Sequence, residues 1–336
     1  MAKRMKSKIQ PAPQTLFFQF NRTEDANQYE YIDLSQVASL VNRRFYRQGL
    51  NWAVAGFKFS IGSNTDGFVG INKLPNTWVM SNAWEKSFRA WQHMIKNATD
   101  ESNQQSVKGK FLDFKIHANK SHWQNGFDNN LLPTSAFDGT YHEATPGEWQ
   151  ASTVVIPNTT VGTPGATETL DLMAVGPKTP GNAVLSLIEG YANSRALPSI
   201  ADPNTPDEMA SAENWLLQMF NNGTGQDTDV IEILESLGDQ APYPFENGID
   251  PATGTAWTET YYPNGENQMT SLQVHDLSFV TTSTIGGSTY LKGGNFPCGL
   301  IEVYTSGLKS GDTILLQIDL VPGSHRGYLC ESMTDM

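Results

Sequence analysis

The sequence predicts a mainly β protein, an antiparallel β-sandwich with helical insertions, and three observations carry that expectation. About eight short runs rich in aromatic and β-branched residues recur along the chain, with turn residues between them. The 29 glycines and 18 prolines, with abundant Thr, Ser and Asn, supply the turns that such a fold needs. Apolar residues at 38% and charged residues at only 17% provide a core and exclude a disordered chain.

Met1 to Gln14 is expected to be a flexible basic arm. Lys3, Arg4, Lys6 and Lys8 cluster there, and Pro11 and Pro13 interrupt regular structure. Such an arm attracts phosphates through counterion release, without sequence choice. The same charges suit nuclear targeting. No apolar run follows them, so no signal peptide is expected and synthesis inside a cell is. No run of about 18 apolar residues occurs, so no membrane partner is expected.

From residue 15 to 336 one domain is expected. TLFFQF (Thr15 to Phe20) is a strand by its aromatic content. After an acidic turn, Asp33 or Ser35 can cap a helix running to about Arg47, with Val37, Leu40, Val41 and Phe45 as its apolar stripe. Arg43 and Arg47 would then sit one turn apart with Arg44 beside them, and clustered guanidinium groups favour phosphate or carboxylate. Trp52 to Ile61 alternates from Ala55 onward as a strand does, and Gly67 to Leu74 is another strand.

The stretch from Ile71 to Ile95 changes period. Gly70 to Met80 is extended and broken by Pro75, and Ser81 or Asn82 can cap a helix. Trp84, Phe88, Trp91 and Ile95 then fall on one helical face, with Lys86, Arg89, His93 and Lys96 on another. Asn97 to Lys110 is polar enough for a loop, and FLDFKIH (Phe111 to His117) alternates like a strand with one wet face. His117, His122 and His142 have no partners at zinc-site spacing, so they are expected in loops or at edges, and no metal is expected.

Trp149 to Ile156 and Glu168 to Val175 suit a hairpin with a long connection. An acidic, helix- and loop-rich insertion follows at about residues 178–270. Its helices are expected around Ala183 to Tyr191, Glu208 to Phe220 and Val230 to Leu237. Asp227, Asp229 and Glu232 resemble calcium ligands, but the loop lacks the glycine and final glutamate of the helix–loop–helix motif. Strands resume at Leu272 to Thr281, Gly299 to Thr305 and, most clearly, TILLQIDLV (Thr313 to Val321). Cys298 and Cys330 are too few for a disulfide framework.

Net charge is −13, but its distribution is polar. Residues 1–120 carry 17 Lys or Arg against 9 Asp or Glu, and residues 121–336 carry 5 against 26. Between Arg195 and Lys292 there are 14 acidic residues and no Lys or Arg. One end suits a polyanion and the other suits solvent or mutual repulsion between particles. No nucleophile elbow and no phosphate-cradling glycine loop occurs, so neither an enzyme nor a cofactor is expected.

Three stretches carry a resemblance: SLVNRRFYRQGLNW (Ser39 to Trp52), INKLPNTWVMSNAWEKSFRAW (Ile71 to Trp91) and VPGSHRGYLCE (Val321 to Glu331). They are similar to segments of capsid proteins from small circular single-stranded DNA viruses that encode their own replication-initiation protein. The resemblance implies a jelly-roll subunit of a small icosahedral virion shell, self-assembled from sixty copies around single-stranded DNA. It also implies an unidentified host receptor as a further partner. The DNA contacts would be Lys3, Arg4, Lys6, Lys8, Arg43, Arg44 and Arg47. The arm is shorter and less basic than is typical of that family, which weakens the expectation of tight genome condensation more than that of shell formation. The alternative is a β-sandwich that binds or hydrolyses carbohydrate, for which eight tryptophans and many acids supply stacking and acid–base groups.

Overall fold

In the computed structural model the described residues are 12–23, 26–62, 66–102, 113–137, 141–157, 167–176, 184–193, 215–220, 271–281 and 287–336. In chain order the elements begin with β1 (Thr15–Asn21), β2 (Gln28–Asp33), α1 (Leu34–Asn42), β3 (Leu50–Ile61), β4 (Gly67–Lys73) and α2 (Trp78–Ser102). Next come α3 (Lys120–Asn125), β5 (Thr134–Phe137), β6 (Tyr141–Glu143), β7 (Thr153–Pro157), β8 (Thr167–Met173) and β9 (Val184–Ser186). Then follow α4 (Leu187–Asn193), α5 (Trp215–Phe220), β10 (Gln273–Val280), β11 (Ser288–Phe296), β12 (Leu300–Ser306) and β13 (Thr313–Leu320). The short strands β14 (Pro322–Gly323), β15 (Gly327–Tyr328) and β16 (Cys330–Ser332) come last.

The chain divides into two compact units. One comprises Met1–Thr77, Asp113–Ala151 and Ser271–Met336, the other Trp78–Leu112 and Ser152–Thr270. The first holds two antiparallel sheets, ordered β1-β13-β3-β11 and β10-β4-β12-β2, with β16 added to the end of β3. Among these eight long strands the first pairs with the last, the second with the next to last, and so inward to β4 and β10. A hairpin of that length, wrapped so that its pairs alternate between two sheets, is a jelly roll. The excursion from residue 74 to 272 leaves and re-enters at β4 and β10, which are hydrogen-bonded neighbours.

Period-two burial builds the core of this unit. In β13 Ile314, Leu316, Ile318 and Leu320 are buried, and three of them lie opposite Phe20, Phe18 and Leu16 of β1. In β3 the phase slips by one residue. Trp52 and Val54 point inward, then Phe57, Phe59 and Ile61, because a bulge opposite Asp319/Leu320 absorbs Ala55. Gly293 faces that bulge: a Cβ there would lie 2.2 Å from the Val54 carbonyl oxygen, so close approach of two backbones demands glycine. Shortening Ile318 to valine is expected to cost about 0.5–1.5 kcal/mol in denaturant unfolding, the usual loss for one buried methyl.

Two of the eight long strands escaped the sequence reading. In β2, Ile32 enters the core while Tyr29 and Tyr31 face out, so QYEYID has little apolar alternation to see. In β11 the glycines at 293 and 294 and the exposed Tyr290 dilute the signal. The helix expected to reach Arg47 ends at Asn42, because Arg43 adopts the left-handed conformation (φ 53°) that terminates helices. The described part of FLDFKIH does not form the expected strand: Asp113 to Ile116 are irregular and only His117 makes a bridge. The backbone of Ile116 is paired instead by a side chain, Gln48, whose amide donates to Ile116 O (3.0 Å) and accepts from Ile116 N (2.6 Å).

In the second unit α2 starts at Trp78, earlier than the expected cap at Ser81 or Asn82, and remains helical to Ser102, through residues expected to form a loop. Buried Met80, Ala83, Trp84, Ser87 and Trp91 show the helical period beginning before that cap. Phe88 and Ile95 of the expected stripe are half-buried, and Arg89 pairs with Glu85 one turn away. The expected hairpin is present as β7 and β8, in register from Thr153↔Asp171 to Pro157↔Thr167, with β9 added in parallel. Part of the helix expected over Ala183 to Tyr191 is therefore strand, since Val184 to Ser186 pair with β8. Trp215 of α5 lies against Gly190 of α4, where a Cβ would be 2.3 Å from its ring nitrogen. The Val230 to Leu237 helix and the residues resembling calcium ligands lie outside the described residues.

Candidate nucleic-acid interface

The loop from Arg43 to Gly49 begins where α1 stops. Its side chains alternate in destination: Tyr46 and Gln48 are buried, whereas Arg43, Arg44 and Arg47 are exposed. The inward groups hold the loop. Tyr46 N–H donates to Ser39 Oγ (2.9 Å) and its hydroxyl to Arg326 O (3.0 Å). Ser35 Oγ donates to Arg47 O (3.0 Å). Arg326 reaches back to the Phe45 carbonyl and lies 5.8 Å from the Tyr46 ring, which adds a fourth cation to the cluster.

Beneath the loop sits Asp33, fully buried. Its Oδ1 accepts from Ser35 N (2.8 Å) and Gln36 N (3.3 Å), capping α1. Its Oδ2 accepts from Gln48 Nε2 (3.1 Å) and Trp149 Nε1 (2.9 Å). One carboxylate thus ties together the start of α1, the arginine loop and the segment around Trp149. Burial pushes its pKa up from 3.8 to about 6, against the pull of those four donors.

Two adjoining depressions, of about 280 and 410 Å3, share Leu40 and Arg43. The smaller is also lined by Arg44, Phe45 and Trp149, with Glu148 on its rim. Lys115 is buried against Trp149, bonded to Asp113, with its ammonium 4.3 Å from the centre of the Trp149 ring. The arginines can neutralise phosphates, and the half-buried Phe45 ring lies among them, which is chemistry tolerant of sequence.

Of the residues expected to contact DNA, Arg43, Arg44 and Arg47 therefore share one exposed loop, though not one helical face. Lys3, Arg4, Lys6 and Lys8 lie outside the described residues, as does most of the acidic region. Arg326 and Trp149 were not singled out by spacing, because they reach the loop only through the tertiary fold, and Phe45 was expected in the apolar stripe of a helix, not beside the arginines.

Two of the three histidines correct another expectation, while His142 is exposed on β6 of a two-stranded sheet, an edge as expected. His117 and His122 are buried, neither at an edge nor in an open loop. His122 Nδ1 accepts from Ala118 N–H (2.9 Å) and its Nε2–H donates to Asn130 Oδ1 (2.8 Å), while the ring stacks on Tyr31 at 4.5 Å. Asn130 Nδ2 continues to Gln36 Oε1 (3.0 Å). Burial and the neighbouring His117 push the His122 pKa down to about 3, so it is a neutral spacer. Among the described residues no group of three or more His, Cys, Asp or Glu is placed to hold a metal ion, and no helix is long and apolar enough to cross a membrane. The chain matches no protein-family model, no curated protein and no solved structure.

Proposed function

We propose that the protein is a viral coat subunit that self-assembles into a small icosahedral shell and packages circular single-stranded DNA through its basic N-terminal third. The observation that carries this reading is the arginine loop: three exposed guanidinium groups held outward from a jelly roll by buried Tyr46, Gln48 and Asp33. A jelly roll alone would support many functions. With the basic arm from Lys3 to Lys8, the loop supplies phosphate neutralisation without base choice. The acidic stretch between Arg195 and Lys292 is assigned to the outside of the particle, where like charge keeps particles apart.

Expression of the full chain, followed by sizing and electron microscopy across pH and salt, tests the assembly. Closed particles are expected, and a persistent monomer under all conditions overturns the reading. Replacing Arg43, Arg44 and Arg47 together by alanine is expected to lower the salt slope of single-stranded DNA binding by about 2, at roughly 0.7 per lost phosphate contact. Thermal stability should hardly change, because all three side chains are exposed. The carbohydrate alternative draws little support from the described tryptophans: Trp52, Trp84, Trp91, Trp149 and Trp215 are buried, Trp123 is half-buried, and only Trp78 among the described residues is exposed (38%).

A further inference from the structure

The outer face of the β1-β13-β3-β11 sheet carries a row of four side chains, one from each strand. Register places Phe17 opposite Gln317, Gln317 opposite Lys58, and Lys58 opposite Tyr290. Cross-strand partners share a face, so all four point away from the core. The two rings stand at the edge strands and are open, Phe17 at 46% and Tyr290 at 70% exposure. Lys58 Nζ lies 5.5 Å from the centre of the Tyr290 ring. Lys292, two residues beyond Tyr290 and opposite Gly56, adds a second exposed cation on the same face. The acid in that neighbouring row, Asp319, is engaged by Thr15 Oγ1 (2.7 Å) and by Gln317 Nε2 (3.1 Å).

Two open rings separated by three strand spacings, roughly 14 Å, with ammonium groups beside one of them, form a stacking platform with a charge for the backbone. The other sheet makes the contrast. Its exposed Phe68 and Phe279 meet edge to face at 4.9 Å, and their row contains only Ser306 besides. Neither Lys nor Arg stands in that row or in the next, Leu277–Gly70–Tyr304–Tyr29, so it offers nothing to a polyanion. The charge selects the ligand for the first face.

We propose that the outer face of the β1-β13-β3-β11 sheet is a second contact for single-stranded DNA, with Phe17 and Tyr290 stacking on bases and Lys58 and Lys292 meeting phosphates. This rests on the DNA-packaging reading above but uses none of the arginine-loop residues.

The test measures binding of the full chain to a thymidine oligonucleotide of about 12 nucleotides and to an abasic strand of equal length, as a function of salt. The F17A/Y290A variant is expected to lose roughly tenfold in affinity for each ring with its salt slope unchanged, because no charge is removed. It should also lose the wild-type preference for the base-bearing strand. The K58A/K292A variant should lower the slope by about 1.4 while keeping that preference. All four side chains are at the surface, and thermal unfolding of each variant verifies the fold. If F17A/Y290A binds within twofold of wild type and still prefers bases while the arginine-loop variant loses binding, the platform is overturned and the packaging reading stands. If the wild-type chain binds neither strand, both are overturned.

Discussion

Replacing Asp33 by alanine will destabilise the jelly-roll unit by about 3–5 kcal/mol, the cost of removing one member of a buried, fully engaged polar hub. The reason lies in what is left behind. Four donors aim at this carboxylate, from Ser35 N, Gln36 N, Gln48 Nε2 and Trp149 Nε1, and all lie in a buried setting. Without Asp33 the cap of α1 is lost, and the indole N–H and the Gln48 amide face a vacated space. Gln48 cannot turn over to compensate, because its two amide atoms are already matched to Ile116 O and Ile116 N. Denaturant unfolding measures the loss. A change below about 1 kcal/mol would mean that the hub is not the anchor of the arginine loop. The loop should also become more susceptible to proteolysis between Arg43 and Arg47, since its inward fastening through Gln48 runs to Asp33.

Acidification of a His122→Asn variant will raise its stability where the wild type loses a little. Two buried groups oppose each other. The His122 pKa is lowered in the fold, from 6.5 to about 3, so its contribution is complete above 6.5 and is lost as pH falls toward 3. Asp33 is an acid whose folded pKa is raised, from 3.8 to about 6. Its penalty is complete above 6 and disappears as pH falls toward 3.8. Between pH 7 and 4 the histidine costs roughly 3 kcal/mol and the aspartate returns roughly 2, leaving a small net loss of about 1. Removing the histidine leaves the aspartate alone, so the variant should gain about 2 kcal/mol over the same interval. Removing the aspartate charge instead, in Asp33→Asn, should expose the full loss of about 3. Urea midpoints at pH 7, 5.5 and 4 for the three proteins measure this. Parallel pH profiles for wild type and His122→Asn would show that the imidazole does not titrate against the fold.

Much of the sandwich was legible residue by residue. The alternation in TLFFQF and TILLQIDLV announces β1 and β13, and register then sets their apolar faces against each other. The slip in β3 was half visible, since alternation was expected only from Ala55 onward. QYEYID was missed because Tyr31 is an outward residue that is nevertheless buried, with its hydroxyl donating to Glu302 (2.7 Å) and the His122 ring stacked upon it. Strand recognition relies on one wet face, and this strand has both faces covered at one end. The arginine cluster was legible as a cluster, but its geometry was not. A helix to Arg47 fits the apolar spacing of Val37, Leu40, Val41 and Phe45, yet Arg43 turns left-handed because the loop must return Tyr46 to Ser39 and Gln48 to Asp33.

By itself the sequence determined which segments could be strands, where cationic and anionic residues concentrate along the chain, and that three arginines occupy a single short stretch. These are local properties, carried by periodicity and composition, which act within a few residues. Only the tertiary structure decided that the first strand pairs with the last, that Asp33 meets Trp149 across 116 positions, and that Phe17, Lys58 and Tyr290 share one face. Such pairings depend on which buried surfaces fit when distant segments meet, and burial is a property of the assembled chain.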